Sequence, residues 1–301
     1  METRKIGSIE VSVVGLGTNN FGRRMDESAA KAVVDACLDL GITHFDTADV
    51  YGMGDSETFL GRALGRRRDQ AVIATKFGSR DGGSPEVVSK AVDGALGRLG
   101  TDRIDVMYIH RPDADTPVAD TLAALDECVK AGKVREIACS NFDADMVRGA
   151  AEAVKPGAAR FAAVQNQLNL LNRRDEPLLD VLEGLGVAYV PYFPLASGML
   201  TGKYRRNEAP PEGTRLDSMP EDRRGTMLND HNFEIVEQLT GWAQDHGHSV
   251  AELAIAWLAA KPAVASVIAG ATKPDQVKTN AAAGDWRLTS TEVSEVEALA
   301  G

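Results

Sequence analysis

Val72-Ile-Ala-Thr-Lys-Phe77, Asp105-Val-Met-Tyr-Ile-His110 and Glu136-Ile-Ala-Cys-Ser-Asn141 are three mostly apolar runs, and the text between them decides the fold. They lack the polar alternation of a half-exposed strand, as parallel strands buried on both faces do. The first gap carries Ser84-Pro85 and the second Thr116-Pro117, each reading as an N-cap before a proline at the first helical position. The second gap closes on Gly132, where a helix should stop before a strand. Strand, helix, strand, helix, strand is the unit of a parallel sheet with crossover helices.

Working outward, the pattern continues in both directions. Val13–Gly17 and Thr43–Ala48 precede it, and Ala163–Leu168, Ala188–Phe193 and Ser266–Gly270 follow. Gly41 and Gly186 mark further helix stops, and Ser249-Val-Ala-Glu252 and Thr289-Ser-Thr-Glu292 read as capping boxes. A chain of 301 residues could hold two domains of ~150 residues or one closed barrel. Eight strands with crossover helices predict an α/β fold, a (β/α)8 TIM barrel occupying residues 1–301 as one domain. Two pieces fall outside the repeat. Residues 4–12 predict a β-hairpin closing the bottom of the barrel. Residues 203–232, after the seventh strand, show no hydrophobic period and predict a long loop over the face where barrel enzymes keep their sites.

Composition excludes several classes. With 44% hydrophobic and 26% charged residues the chain can build a large core, and is neither disordered nor fibrous. A net charge of −11 argues against a dedicated nucleic-acid binder, whose affinity comes from Lys and Arg on phosphates. Cys37, Cys128 and Cys139 form neither a disulfide framework nor a zinc spacing, and His44-Phe-Asp46 has no second cluster to complete a metal site. No signal peptide and no membrane-length apolar run is evident, so reduced cytoplasm is the expected compartment. Oligomeric state leaves no mark in the sequence.

The informative polar residues of a barrel lie at the C-terminal ends of its strands. Here Asp46, Lys76 and His110 end three consecutive strands, and Tyr51 follows Asp46 by one short loop. The physical logic of that set is proton transfer. A free Tyr has a pKa of ~10; a nearby ammonium favours its phenolate, so Lys76 is expected to lower it. A buried Lys needs a carboxylate such as Asp46 to offset its desolvation. His110 can orient a carbonyl oxygen beside the Tyr hydroxyl. The group suits delivery of a proton to oxygen while something else attacks carbon.

These residues stand in a longer series: Gly41-Ile-Thr-His-Phe-Asp-Thr-Ala-Asp-Val-Tyr-Gly52, Ser56-Glu57 with Leu60-Gly61, Ala74-Thr-Lys76, Asp105–His110, Lys133–Asn141, Val164-Gln-Asn-Gln167 and Tyr192-Phe-Pro-Leu-Ala-Ser-Gly198. In that order the seven motifs resemble the aldo-keto reductase family over essentially the full length. The resemblance implies a (β/α)8 barrel, a nicotinamide cofactor, and reduction of aldehydes or ketones, with Asp46, Tyr51, Lys76 and His110 as the catalytic tetrad. No G-x-G-x-x-G opens a helix, Gly15-Leu-Gly17 being the nearest approach, so no Rossmann site is supported.

By the same resemblance, Ser140, Asn141 and Gln165 hold the nicotinamide carboxamide, Tyr192 stacks on the ring, and Gly17 and Thr18 line that pocket. Backbone at Leu195, Ser197 and Leu200 approaches the pyrophosphate beside Gly198, with Phe193, Pro194 and Lys203 in the same stretch. Gly270, Thr272, Lys273, Gln276 and Asn280 meet the adenosine end. Thr272 could cap the helix that follows, and Lys273 offers a charge for a 2′-phosphate. Phe193 stands where the family often has Ser, and Gln276 where some members have Arg. The family's usual cofactor and Lys273 still favour NADPH, with NADH possible. The expected partner is a small carbonyl substrate, with pocket residues from Asn20, Phe21, Met53, Arg111, Phe142 and the 203–232 loop. Two other readings stay open: a Schiff-base lyase using Lys76, and a non-catalytic NADPH-sensing regulatory subunit.

Overall fold

A computed structural model describes residues 1–301. The chain opens with an antiparallel hairpin of β1 (Thr3–Ile6) and β2 (Ile9–Ser12), turned at Gly7, whose φ is +56°. Eight parallel strands follow: β3 (Val14–Gly17), β4 (His44–Asp46), β5 (Val72–Phe77), β6 (Ile104–Ile109), β7 (Val134–Ser140), β8 (Phe161–Gln165), β9 (Ala188–Tyr189) and β10 (Val267–Gly270). Their order is β10-β3-β4-β5-β6-β7-β8-β9. The last seam closes through bridges from Tyr189 to Val264 and from Tyr192 to Ile268, so the sheet returns on itself as a barrel. All eight expected strands are present, with ends displaced by up to four residues; the seventh is regular only over Ala188–Tyr189 and continues as bridges to Tyr192.

The intervening helices are α1 (Glu27–Asp39), α2 (Asp55–Leu64), α3 (Pro85–Leu99), α4 (Val118–Lys130), α5 (Ala144–Ala153) and α6 (Glu176–Leu185). Beyond β9 come α7 (Glu221–Met227), α8 (Asp230–Asp245), α9 (Val250–Ala259), α10 (Pro274–Ala283) and α11 (Ser290–Ala300). Ser84 caps α3, and both capping boxes form, at Ser249/Glu252 and Thr289/Glu292. Thr116 does not cap α4; that helix begins one residue later, with Pro117 at the N-cap position and no side-chain cap.

The core has two parts. A large shell lies between strands and helices. A smaller inner cluster joins Ile6, Ile9 and Val11 of the hairpin to Ala74, Val106, Tyr108, Ala138 and Ala163 inside the barrel. The hairpin thus plugs the end opposite the C-terminal ends of the strands, and Ser8 fastens it to Glu136 near the start of β7. Helices α2 and α3 touch through Gly61, where an added Cβ would collide with the Leu99 carbonyl. Because that neighbour is backbone, Gly61→Ala should cost about 3 kcal/mol in urea unfolding; a loss under about 0.5 kcal/mol, the range of a neutral surface change, would contradict this packing.

Residues 203–232 are only partly a loop. They contain α7 and the start of α8, capped by Asn229, and bury Tyr204 and Leu216. Two isolated anchors lack a period, so the sequence hid them. Arg24 ties the segment to the loop after β3 by donating to Thr214 O at 2.6 Å and Ser218 Oγ at 2.8 Å.

Candidate active site

Successive side chains of a strand face opposite ways, so Asp46 on β4 and Lys76 on β5 both point into the barrel near its C-terminal rim. Lys76 Nζ donates to Asp46 Oδ1 and Oδ2, each at 2.7 Å, and to Thr47 O at 2.8 Å. Three donors meet three acceptor atoms, and Lys76 is 1% exposed. Burial alone would lower its pKa, but Asp46 and then Tyr51 outweigh that and hold it above the ordinary lysine value. It is a protonated ammonium.

Tyr51 begins a 3-10 turn, Tyr51–Gly54, in which Gly52 and Met53 take positive φ. Lys76 Nζ lies 5.2 Å from its ring centroid, and the His110 ring meets it edge-on at 6.0 Å. The expected lowering of the Tyr51 pKa is not what the structure gives. Burial raises the phenol above its usual value, and Lys76 opposes this without reversing it. The phenol is therefore an acid that keeps its proton at neutral pH, beside a cation that stabilises the phenolate once the proton leaves.

His110 follows β6. Its Nδ1 is buried without a partner. A lone pair is cheaper to leave unpaired than an N–H, which puts the proton on Nε2. Burial, then the nearby Lys76, push its pKa down to about 4, so the imidazole is a neutral donor.

Asp46 is held by more than Lys76. Gln165 Nε2 donates to its Oδ1 at 2.8 Å, and the Thr18 N–H and hydroxyl both reach its backbone carbonyl, at 2.9 and 3.0 Å. Thr18 is fully buried and also bonds Ser56 Oγ. Thr18 and the Gln165 amide thus serve Asp46, a use their positions in the sequence did not reveal. Ser140 Oγ donates to Gln165 O, and Asn141, at φ +63°, accepts from the Tyr192 hydroxyl at 2.8 Å.

The loop after β9 takes an unusual path. Phe193, Ala196 and Ser197 all have positive φ although none is glycine, and Asn169 Nδ2 holds the Phe193 carbonyl at 2.9 Å. Each such residue costs roughly 1–3 kcal/mol, the kind of strain that marks a functional segment. Pro194 and Leu200 are buried, while Leu195, Ser197 and Gly198 are partly exposed. Lys203 stands 5.1 Å over the Tyr204 ring and Arg215 4.4 Å over the Phe193 ring, and neither forms a salt bridge. Arg215, half-buried in the long segment, was not among the residues expected from sequence.

At the next rim position, Gly270 is exposed, and Asn20 Nδ2 at 4.0 Å is the only atom an added Cβ would approach. Thr272 does not cap α10. Lys273 holds that place, while the Thr272 N–H and hydroxyl both donate to Gln276 Oε1, at 2.7 and 3.2 Å. Asn280 is buried inside α10. Of the expected pocket residues, Phe21 and Phe142 are core, Asn20 is half-buried, and Met53 and Arg111 are exposed. Gly17 is partly exposed at the end of β3.

Two residues below Asp46, His44 is fully buried with both ring nitrogens unpartnered, and burial pushes it down to about 4. In an unfolded chain a histidine titrates near ~6.5. Between about 4 and 6.5 the unfolded chain binds more protons, so this group's contribution falls as pH falls, by about 3 kcal/mol in all. Asp49 works the other way: burial, then Glu57, raise it to about 6, so the folded state takes up its proton first. Urea unfolding from pH 7 to 4 should show His44→Gln losing less stability than the parent. Equal losses would contradict a neutral buried His44.

The aldo/keto reductase family model matches residues 13–300. An NADP(+) aldo-keto reductase of Schizosaccharomyces pombe is 32% identical, with 98% of this chain and 90% of that protein aligned. A rice protein (Oryza sativa subsp. japonica) described as a "Probable voltage-gated potassium channel subunit beta" is 34% identical, over 99% of this chain and 96% of its own. Among solved structures, an aldo-keto reductase from Bacillus halodurans in its holo form superposes with a TM-score of 0.84 at 29% identity, covering 100% of this chain and 97% of that one. With the barrel, the rim geometry and a match over nearly the whole chain, this protein belongs to the aldo/keto reductase family.

Proposed function

We propose that the protein reduces aldehydes or ketones to alcohols with a reduced nicotinamide cofactor, NADPH in preference to NADH. The observation that carries this reading is the buried Asp46–Lys76 pair beside a protonated Tyr51 and a neutral His110. His110 Nε2–H aligns the substrate oxygen, and Tyr51 gives that oxygen its proton. Lys76, fixed by Asp46, stabilises the phenolate left behind. When bound, the cofactor supplies the hydride.

The residues present fit such a group. Lys203 and Arg215 are cations free of acidic partners beside a strained loop, as a pyrophosphate site requires. Ser140, Asn141 and Tyr192 stand together at the rim for the carboxamide and ring. Gly270 and the N-terminus of α10 offer exposed backbone for the adenosine end, and Lys273 is exposed at its N-cap. Lys273→Ala should weaken NADPH binding about tenfold while leaving NADH within twofold, the effect of losing one contact to a charged phosphate. Equal effects on both cofactors, or none, would remove Lys273 from that role.

Lys76 is a poor Schiff-base nucleophile, because all three of its N–H bonds are committed and its ammonium is favoured. The rice relative is described as a channel subunit, so the second reading is a regulatory subunit that binds the cofactor without turnover. Multiple turnovers of 4-nitrobenzaldehyde with NADPH support the reductase; cofactor binding with no turnover of any carbonyl tested favours the sensor.

A further inference from the structure

Resting on the nicotinamide reading above, we infer that Asn166 is a positioning residue that sets the nicotinamide-binding groups, and that Asp175 holds it in the working orientation. Asn166 follows β8 and is 6% exposed. Its carbonyl accepts the Tyr192 N–H at 3.0 Å. Its side-chain Oδ1 accepts the Asn141 N–H at 2.6 Å. Its Nδ2 donates to Phe142 O at 2.8 Å and to Asp175 Oδ2 at 2.7 Å. One residue therefore grips the segment meant to stack on the nicotinamide and the segment meant to hold its carboxamide.

The grip on Asn141 has a specific consequence. Asn141 is left-handed, at φ +63°, a conformation open to asparagine more than to most residues other than glycine, and one that external support fixes. Asn166 supplies it by clamping the N–H before that angle and the Phe142 carbonyl after it. So held, Asn141 donates to His110 O at 2.9 Å and Ser140 Oγ at 3.1 Å, while its Oδ1 receives the Tyr192 hydroxyl. The network thereby also reaches the backbone of His110.

Asp175 decides which end of the Asn166 amide faces which neighbour. A carboxylate only accepts, so it fixes Nδ2 on its own side and leaves Oδ1 for Asn141. Asn166→Asp has nearly the same shape but sets a carboxylate against Asp175 and the Phe142 carbonyl. It should be the more damaging change, and Asp175→Asn a milder one at the far end of the network.

The test separates the two halves of the cofactor. Binding of NADPH and of 2′-phospho-ADP-ribose, which lacks the nicotinamide, is measured for the parent, Asn166→Ala, Asn166→Asp and Asp175→Asn, each first shown folded by circular dichroism. The expectation is an NADPH Kd raised about tenfold or more in both Asn166 variants and about threefold in Asp175→Asn. The fragment should bind within twofold of the parent throughout. Should Asn166→Ala not fold, Asp175→Asn alone carries the same comparison. Equal weakening of both ligands would show a general structural role and overturn the inference, as would unchanged NADPH binding and turnover. If the parent binds neither ligand, the cofactor reading itself fails first.

Discussion

Tyr51→Phe should lower carbonyl reduction by about a thousandfold while leaving NADPH affinity within severalfold. The substitution removes one oxygen and little volume, so the ring keeps its edge-on contact with His110 and its place near Lys76. What is lost is the proposed proton donor. A positioned general acid contributes roughly 10²–10⁴ in rate, and no other acidic hydrogen replaces it: His110 is neutral and placed to align oxygen, and Lys76 is fully engaged. Steady-state turnover with an aldehyde and a separate cofactor titration give the two numbers. Retained turnover would move the proton donor elsewhere. A joint collapse of turnover and cofactor affinity would make Tyr51 a binding residue.

Removing one member of the buried ion pair should damage stability as well as rate. Asp46→Ala leaves the Lys76 ammonium in a site 1% exposed with no carboxylate to pair it. Breaking a buried pair in this way costs about 3–5 kcal/mol. It also strands the Gln165 amide, which donates to Asp46 Oδ1. Replacing both partners together, Asp46→Asn with Lys76→Met, removes the unpaired charge and should recover at least half of the lost stability in urea unfolding. Turnover should not recover, because nothing then stabilises the Tyr51 phenolate. If the double variant is no more stable than Asp46→Ala, the pair is not the electrostatic unit described here. If it is active, the pair does not tune Tyr51.

Much of this site was legible in the chain because it sits at strand ends, and strand ends follow from period. Asp46, Lys76 and His110 end three adjacent strands whose apolar runs locate them to within a residue or two, and hydrogen bonding brings them to one rim. The hairpin and both capping boxes were equally plain, since each is a local pattern with a local cause. What stayed hidden depends on packing. Phe193, Ala196 and Ser197 carry no mark of a left-handed backbone, because only glycine and to a lesser degree asparagine advertise it. Thr18 and Gln165 were expected at the cofactor, and their side chains also hold Asp46, a use that depends on rotamer rather than position. Phe21 and Phe142 were expected in the pocket and are core. The direction of the Tyr51 shift turned on the relative size of two opposing effects, and burial is invisible until the chain is folded.

If hydride and proton reach the substrate from different sources at this rim, isotope placement in the product will show it. NADPH bearing deuterium at C4 of the nicotinamide, on the face the enzyme uses, is incubated with protein and 4-nitrobenzaldehyde, and the alcohol is analysed by mass and NMR. One deuterium should appear on the carbinol carbon for each NADPH consumed, and Tyr51→Phe should suppress that transfer. An alcohol without deuterium, or a substrate adduct that borohydride traps on Lys76 while NADPH is untouched, would contradict the proposed reduction.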